Sequence, residues 1–336
     1  MIKIVVDALG GDRSPDANIE EAVLAVNKIS DVQIIIVGDE KVIDEKLRSY
    51  DFDKSRMTVE HAPDEISCND KPTEAIRTKK DSSLYRSIEL VKSSDEINAL
   101  VSTGSSGAIL AGAVLKIGRI RGVKRPAFCP IMPTMNRKIV GICDSGANVD
   151  CDAIQLKQFA QMGNLYMKVA YGIEKPRVGL LNVGVEEEKG DMLRKEVYSI
   201  LKEDKNINFV GNMEAREALK GDYDLIVCDG FSGNVLIKST EGACLEMLKL
   251  LKKTLTSGLK NKIGALMLKK DIMELKDYMD YNNYGGAVLL GCSKTVVKGH
   301  GSSKGITVFH CIEQAYNMEK NNLRQAISEE ISNGLN

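Results

Sequence analysis

The chain begins with Ile2-Lys3-Ile4-Val5-Val6-Asp7-Ala8-Leu9-Gly10-Gly11-Asp12, an apolar run that ends in a glycine-rich polar turn. The run is rich in Ile and Val without clean alternation, which is typical of a strand buried on both faces of a parallel sheet. The turn after such a strand exposes backbone N–H groups, and such groups form seats for phosphate and other anions. The opening residues therefore predict an α/β fold that binds an anion.

Three further glycine-rich polar turns follow apolar runs, at residues 102–107, 229–234 and 300–303. In parallel sheets ligands bind at the carboxyl ends of the strands. We therefore expect the four turns to share one rim and to seat a small oxyanion that is a substrate. The alternative for each turn is a tight bend in which glycine only permits a positive φ.

Short apolar runs alternate with longer helical patterns along the chain. The predicted strands cover residues 2–8, 32–37, 57–61, 99–102, 139–144, 178–183, 208–211 and 225–229, and the predicted helices cover 17–29, 84–92, 108–117, 153–170 and 193–202. This cadence predicts a three-layer α/β/α sandwich around a mostly parallel sheet. Two runs at 127–132 and 138–143 flank a turn at 133–137, which indicates an inserted antiparallel hairpin.

Composition excludes several classes of protein. The 336 residues include 46 Lys and Arg and 47 Asp and Glu, so the formal net charge of −1 argues against bulk binding to nucleic acid. The eight cysteines form no C-x-x-C motif and are expected to be reduced, as in a cytoplasmic protein. The first apolar run is too short for a signal peptide, and no stretch reaches the roughly 20 apolar residues of a membrane-spanning helix.

Motifs for common cofactors are also missing. The first turn does not fit the G-x-G-x-x-G dinucleotide fingerprint, and the sequence contains no P-loop motif. No cluster of His, Cys or carboxylate residues has the spacing of metal ligands. We therefore expect neither a cofactor nor a metal ion.

Residues 247–283 are expected to form a protruding, basic and amphipathic helical segment. Residues 247–270 contain seven Lys and no Asp or Glu. The apolar stripe on this segment consists of Leu255, Leu259, Ile263 and Leu266. Such a helix lies in the interface of an anionic membrane, but a core helix or a dimer contact explains the pattern equally well.

The ordered motifs resemble one family, the bacterial acyl-ACP:phosphate acyltransferases (PlsX) of phospholipid synthesis. The resemblance covers almost the whole chain, so one domain over residues 1–330 is expected. Leu9 stands where the family pattern has Met, and Ser105-Ser106 where it has Asn-Thr. The matching motifs are Arg77-Thr78-Lys79-Lys80-Asp81-Ser82-Ser83, Ser102-Thr103-Gly104-Ser105-Ser106-Gly107, Lys298-Gly299-His300-Gly301-Ser302-Ser303, and residues 6–12, 125–127, 144–148, 180–184, 208–214, 228–234 and 284–287.

This resemblance implies a fold related to phosphotransacetylases and to isocitrate and isopropylmalate dehydrogenases. It implies that the substrates are acyl-ACP and inorganic phosphate and that the protein is a homodimer. It also implies peripheral association with the inner face of the cell membrane through the helices near 255–270. The acyl phosphate product would pass to a membrane glycerol-3-phosphate acyltransferase.

The family resemblance assigns no catalytic residues, so we assign roles from placement at or near the glycine-rich strand ends. Asn234 and His300 are expected to serve the oxyanion or the departing thiolate, and Asp7 and Asp229 to orient donors. Lys79, Ser82, Ser83, Ser105 and Arg125 are expected to seat phosphate. Further phosphate or substrate contacts are expected from Gly10, Gly11, Thr103, Gly104, Ser106, Gly107, Asn148, Asn182, Gly184 and Ser302.

Three alternative functions remain open from the sequence. A phosphotransacetylase would use acyl-CoA as the thioester in the same chemistry. A metal- and NAD-dependent decarboxylating dehydrogenase would share the fold, although clustered metal carboxylates are missing from the sequence. A non-catalytic membrane scaffold would explain the basic helix but not the glycine-rich turns.

Overall fold

The structure is a computed structural model that describes residues 1–301 and 306–333, without the side chains of Tyr281 and Asn282. Twelve strands are formed within the described residues. They are β1 (Ile2–Asp7), β2 (Val32–Gly38), β3 (Met57–His61), β4 (Ile97–Ser102), β5 (Ala127–Cys129), β6 (Ile131–Pro133), β7 (Ile139–Cys143), β8 (Arg177–Asn182), β9 (Asn208–Glu214), β10 (Leu225–Val227), β11 (Ala287–Leu290) and β12 (Thr295–Lys298).

Twelve α-helices connect or flank these strands in the same described part of the chain. They are α1 (Asp16–Lys28), α2 (Glu40–Leu47), α3 (Pro72–Thr78), α4 (Ser83–Ser93), α5 (Ser106–Gly112), α6 (Ala153–Tyr171), α7 (Met192–Glu203), α8 (Gly230–Leu255), α9 (Leu259–Met267), α10 (Lys269–Met279), α11 (Thr307–Lys320) and α12 (Leu323–Asn333). A π-helical turn over Ala113–Ile117 extends α5.

The strands form two sheets rather than one. The first sheet has the order β3-β2-β1-β4-β12-β11-β5, in which β11 alone runs antiparallel to its neighbours. The second sheet has the order β6-β7-β10-β8-β9, in which β6 alone is antiparallel. Both sheets are therefore mostly parallel, as predicted.

The chain crosses between the sheets at Pro130. The run at 127–132 was expected to be one strand, but β5 pairs with β11 in the first sheet, whereas β6 pairs with β7 in the second. Proline has no N–H for a ladder hydrogen bond, so it divides the run. The predicted antiparallel hairpin is confirmed as β6 and β7. Its first strand is shorter than predicted, because residues 127–129 belong to the other sheet.

Helices cover both faces of each sheet. Successive strand residues point to opposite faces, so Ile4 and Val6 pack with α1 and α11, whereas Val5 packs with α4 and α5. The second sheet packs α6 on one face, and Leu236 of α8 on the other. This arrangement confirms the α/β/α architecture. One buried cluster includes strands of both sheets, which supports our proposal of one domain over residues 1–330.

The eight strand predictions each correspond to a strand within a few residues, but β11 and β12 were not predicted. These strands have four residues each and lie between glycine-rich turns, so their runs are too short to give a clear period. Their omission matters because β12 lies beside β4 near the centre of the first sheet.

The segment predicted to protrude, residues 247–283, includes the end of α8 and all of α9 and α10. Neither α9 nor α10 has a buried residue. Leu259 is 78% exposed and Leu266 is 71% exposed, while Leu255 is partly buried. At the end of α10 the Tyr278 hydroxyl donates a hydrogen bond of 2.7 Å to Thr134 O. No helix in the described part of the chain is long and apolar enough to cross a membrane.

Candidate active site

Asp7 connects the first two glycine-rich turns at the end of β1. Its buried carboxylate accepts hydrogen bonds from the Ser83 hydroxyl (2.6 Å) and the Ser102 hydroxyl (2.7 Å). The Leu9 N–H donates to the same carboxylate at 3.2 Å. Burial raises the pKa of Asp7, and the hydrogen bonds from Ser102 and Ser83 oppose that rise. Asp7 thus holds two hydroxyl donors at the end of β1, and its expected part in catalysis stays a prediction.

The turn after β12 joins the same group. The Asp12 N–H donates to Gly301 O at 2.8 Å, and the Gly299 N–H donates to Ser102 O at 2.9 Å. Gly11 has a φ of +91°, and a Cβ there would lie 2.9 Å from the Thr103 hydroxyl oxygen. A side chain at Gly11 would therefore be strained and crowded.

Close backbone contact also requires glycine at position 10. A Cβ on Gly10 would lie 2.6 Å from the Gly104 nitrogen. The Gly10 carbonyl accepts hydrogen bonds from the Thr103 hydroxyl and, at 2.9 Å, from the Asn18 side chain. Three of the four predicted turns are therefore in direct contact with one another.

A cleft of about 280 Å³ separates these turns from the second sheet and α8. Both sheets and α8 contribute to its walls, so the cleft lies where ligands bind in α/β folds. The described residues that line it are Ser106, Phe128, Pro130, Ile131, Ser145, Gly146, Asn234, Ile237, Lys238, Glu241, Gly285, Gly286, Ala287, Lys298 and His300.

Asp144 organises the wall on the side of the second sheet. Its buried carboxylate accepts hydrogen bonds from Phe128 N (2.9 Å) and Asn148 N (2.6 Å). Burial raises the pKa of Asp144, while hydrogen bonds from the surrounding loop lower it. A Cβ on Gly233 would lie 2.0 Å from Asp144 O, so the first turn of α8 packs directly on this loop. This packing places Asn234 at the cleft.

Lys298, at the end of β12, is a cation of the cleft that was not predicted as a site residue from the sequence. Its ammonium group forms no hydrogen bond or ion pair with the residues that the structure describes. Glu241 and Lys238 of α8 also line the cleft. Burial lowers the pKa of Lys298; Glu241 opposes this effect and Lys238 adds to it. An amino group that loses hydration without gaining a protein partner indicates a site for an anion.

His300 lies two residues beyond Lys298 and lines the same cleft. Burial lowers the pKa of His300 below its ordinary value, and the charge of Lys298 lowers it further. The imidazole is therefore neutral at neutral pH. A neutral ring with one N–H donor can stabilise developing negative charge or protonate a leaving group.

Comparisons with known proteins show the family to which the chain belongs. A family model described as "Fatty acid synthesis protein" matches residues 2–326. The chain is 42% identical over 331 residues to a phosphate acyltransferase of Clostridioides difficile, covering 98% of this chain and 96% of that protein. The chain belongs to the phosphate acyltransferase family. A Bacillus cereus phosphate acyltransferase is 44% identical over 317 residues, which is 94% of each protein.

The fold of this phosphate acyltransferase is that of phosphotransacetylases. A phosphotransacetylase from Streptococcus pyogenes superposes with a TM-score of 0.58 at 17% identity, covering 97% of this chain and 94% of that one. A branched-chain phosphotransacylase from Enterococcus faecalis gives a TM-score of 0.55 at 14% identity, covering 95% and 100%. These similarities confirm the fold, while the curated relatives confirm the predicted kind of enzyme.

Lys79, Ser82 and Arg125 do not line the cleft of this phosphate acyltransferase in the described structure. The Lys79 ammonium group donates to Asp70 at 2.6 Å. The Ser82 hydroxyl accepts from Tyr85 N and caps α4, so it has a structural partner. Arg125 lies on an exposed loop before β5. The sequence motif indicated that these residues lie near a turn, but it did not show which groups their side chains contact.

Asn182 and Arg194 line a second groove of about 960 Å³ on another face of α8. The Asp229 carboxylate caps α8 through Ser232 N at 2.8 Å and accepts a hydrogen bond from Arg194. Gly184 follows β8 near Lys189, while Asn182 donates to Lys189 O at 3.1 Å. Asp229 therefore orients Arg194, which the sequence analysis did not predict, rather than a group in the cleft.

The remaining predicted residues form the support around the cleft. Ser105 is the N-cap of α5, and a Cβ on Gly107 would lie 2.7 Å from Pro72 Cγ, so Gly107 serves packing. The Asn148 amide donates to Pro126 O at 2.8 Å and holds the wall loop. Ser302 lies outside the described residues.

Proposed function

We propose that this phosphate acyltransferase moves a fatty acyl group from acyl-ACP to inorganic phosphate for phospholipid synthesis. The observation that supports this most strongly is the Lys298 ammonium group, which has no hydrogen-bond or ion-pair partner among the described residues and shares a cleft with Asn234 and His300. A phosphate ion would accept the hydrogen bonds that this ammonium group does not donate to the described residues. The cleft also has room beside that ion for a thioester group.

In the proposed reaction, a phosphate oxygen attacks the carbonyl carbon of the thioester. Phosphate is anionic at neutral pH, so it attacks without a Ser-His-Asp arrangement. Lys298 holds the ion against the thioester, and such orientation contributes roughly 7–11 kcal/mol to a rate enhancement. Attack forms a C–O bond and places negative charge on the carbonyl oxygen.

The tetrahedral intermediate then collapses with cleavage of the C–S bond. The Asn234 side chain donates to the carbonyl oxygen while it is negatively charged, and His300 stabilises or protonates the departing thiolate. A thiol of pKa about 8.5 leaves with little help from an acid. The products are acyl phosphate and the free thiol of ACP, which we propose are used by a membrane glycerol-3-phosphate acyltransferase and by fatty acid synthesis respectively.

Release of ACP thiol from acyl-ACP with and without phosphate tests this function. We expect release that depends on phosphate, with one acyl phosphate formed for each thiol. The same assay with acyl-CoA tests the phosphotransacetylase alternative. Efficient turnover of acyl-CoA with none of acyl-ACP would reject our proposal in favour of that alternative.

We also propose a homodimer that is formed through the outer surface of α8. Large apolar side chains are exposed there, after β8 and at the start of α7, including Phe231 (63% exposed), Val183 (78%) and Met192 (86%). Monomers seldom expose apolar patches of this kind unless they bind a partner. Light scattering is expected to give twice the 36.8 kDa mass of the chain. A Phe231→Asp variant that leaves the mass unchanged would count against this surface.

Peripheral binding to the inner face of the cell membrane is our third proposal. The exposed leucines of α9 and the lysines of residues 249–270 combine apolar burial with attraction to anionic lipid.

A Leu259→Glu variant is expected to lose most of its binding to vesicles that contain anionic lipid, because it places a carboxylate where an apolar side chain inserts. Vesicle flotation measures the bound fraction. Asn261→Glu adds the same charge in the first turn of α9 and serves as the matched control. Equal flotation of Leu259→Glu and the unaltered protein would disprove insertion of this face.

A further inference from the structure

A second basic surface lies outside the cleft and outside the amphipathic segment at residues 247–283. Residues 97–143 contain no Asp or Glu and carry seven Lys or Arg. Four of these cations fall in one loop between the π-helical turn and β5, and all four are exposed. We call residues 119–125 the basic loop; its cations are Arg119, Arg121, Lys124 and Arg125.

The charges of the basic loop are not neutralised by the protein. None of its four cations forms an ion pair within residues 1–301 and 306–333. Four unpaired cations within seven residues produce a local positive potential, although the whole chain has a formal net charge of −1.

The backbone of the basic loop is held in place at several points. Ile120 N donates to Gly291 O at 2.9 Å, and Lys124 N donates to the Gln158 side chain at 2.8 Å. The same Gln158 amide donates to Gly122 O at 2.9 Å. A fixed backbone presents the charges with little loss of entropy on binding.

The side chains of this loop differ in kind from those of the amphipathic segment at residues 247–283. Its two large apolar residues, Ile120 and Val123, are buried, whereas α9 exposes Leu259 and Leu266 beside its lysines. A surface of cations without exposed apolar groups fits a folded acidic protein, because lipid insertion requires apolar side chains.

The Arg125 end of the basic loop is close to the cleft, whereas Arg119 and Arg121 line a separate pocket. Arg125 precedes the cleft residue Phe128 by three positions, which is about 10 Å in an extended chain. The loop with Ser145 runs alongside, since the Ser145 hydroxyl donates to Phe128 O at 3.3 Å and Asn148 donates to Pro126 O. A carrier protein bound at this loop could pass a flexible thioester arm over a short distance into the cleft.

We propose that the basic loop is the docking surface for an acidic acyl carrier protein. This inference rests on the proposed function, because it assumes that the acyl donor is carried by a protein. Docking would be governed by charge, so it would weaken with rising salt concentration.

An Arg121→Glu/Lys124→Glu variant tests the proposal, because neither side chain forms a hydrogen bond with the described residues. We expect the KM for acyl-ACP to rise about tenfold or more and to lose most of its salt dependence. Turnover of acyl-pantetheine, which carries the same thioester without the protein, is expected to stay within about twofold.

A Lys41→Glu/Lys54→Glu variant is the matched control. Both lysines are exposed and lie near β3, at the opposite edge of the first sheet from β5. An unchanged KM for acyl-ACP in the loop variant, or an equal rise in the control, would overturn the docking proposal. Failure of the unaltered enzyme to use acyl-ACP would instead reject the proposed function, and the two failures are thereby distinguished.

Discussion

A Lys298→Met variant is expected to lose about 100-fold or more in kcat/KM for phosphate. The substitution keeps the length and apolar stem of the side chain but removes the charge that we assign to phosphate binding. A charge-assisted contact in a site of low hydration contributes about 3 kcal/mol, which corresponds to roughly that factor. Steady-state kinetics with varied phosphate at saturating acyl donor measures the loss.

Two variants control this experiment. Lys79→Met removes a lysine that binds Asp70 and does not line the cleft, so we expect at most a few-fold change. Lys298→Arg keeps the charge, and because arginine does not titrate in the accessible range, it should remove an alkaline loss of phosphate affinity.

That alkaline loss follows from the lowered pKa of Lys298. The pKa lies below the ordinary 10.5, so phosphate affinity should fall as the pH rises through this lowered value. Lys298→Met with unchanged phosphate kinetics would contradict the assigned role.

An Asp7→Ala variant is expected to be less stable by about 3 kcal/mol, because it leaves two buried hydroxyl donors and one N–H without their acceptor. Loss of the carboxylate also removes the side-chain hydrogen bonds that join the end of β1 to Ser83 and Ser102. Urea unfolding measures the change in free energy. Phosphate KM of the folded fraction should rise as well, since the turns are held by fewer contacts.

Asp12→Ala is the matched control in the same turn. The Asp12 side chain is exposed, and it is the backbone of this residue that contacts Gly301. We expect a change within about 0.5 kcal/mol. Equal stability of the Asp7 and Asp12 variants would show that the carboxylate does not hold the turns.

Much of the fold was predictable because parallel strands buried on both faces leave long runs of Ile and Val. Residues 2–8 and 32–37 gave two adjacent strands of the first sheet, β1 and β2. The division into two sheets was not predictable from these runs. It depends on Pro130, and on whether β5 finds its partner in the distant β11. Such pairing is tertiary information that a local pattern does not contain.

The glycine-rich turns were predictable as a group, but the roles of single side chains were not. Asp7 lies at the end of its strand, as predicted, but its hydrogen bonds with Ser83 and Ser102 depend on how the turns pack together. Lys79 and Lys298 both lie beside a polar turn. The local sequence does not show that Lys79 is paired with Asp70. The signal for Lys298 was its position at the end of an apolar run, but β12 was not recognised as a strand.

The central claim is that separate glycine-rich turns form one cleft that binds inorganic phosphate beside Lys298. A crystal structure of the enzyme soaked in phosphate tests it most directly. We predict one phosphate ion in the cleft within hydrogen-bonding distance of the Lys298 amino group, with Asn234 and His300 on the walls around it. Phosphate bound only outside this cleft, at a concentration that saturates turnover, would contradict the claim.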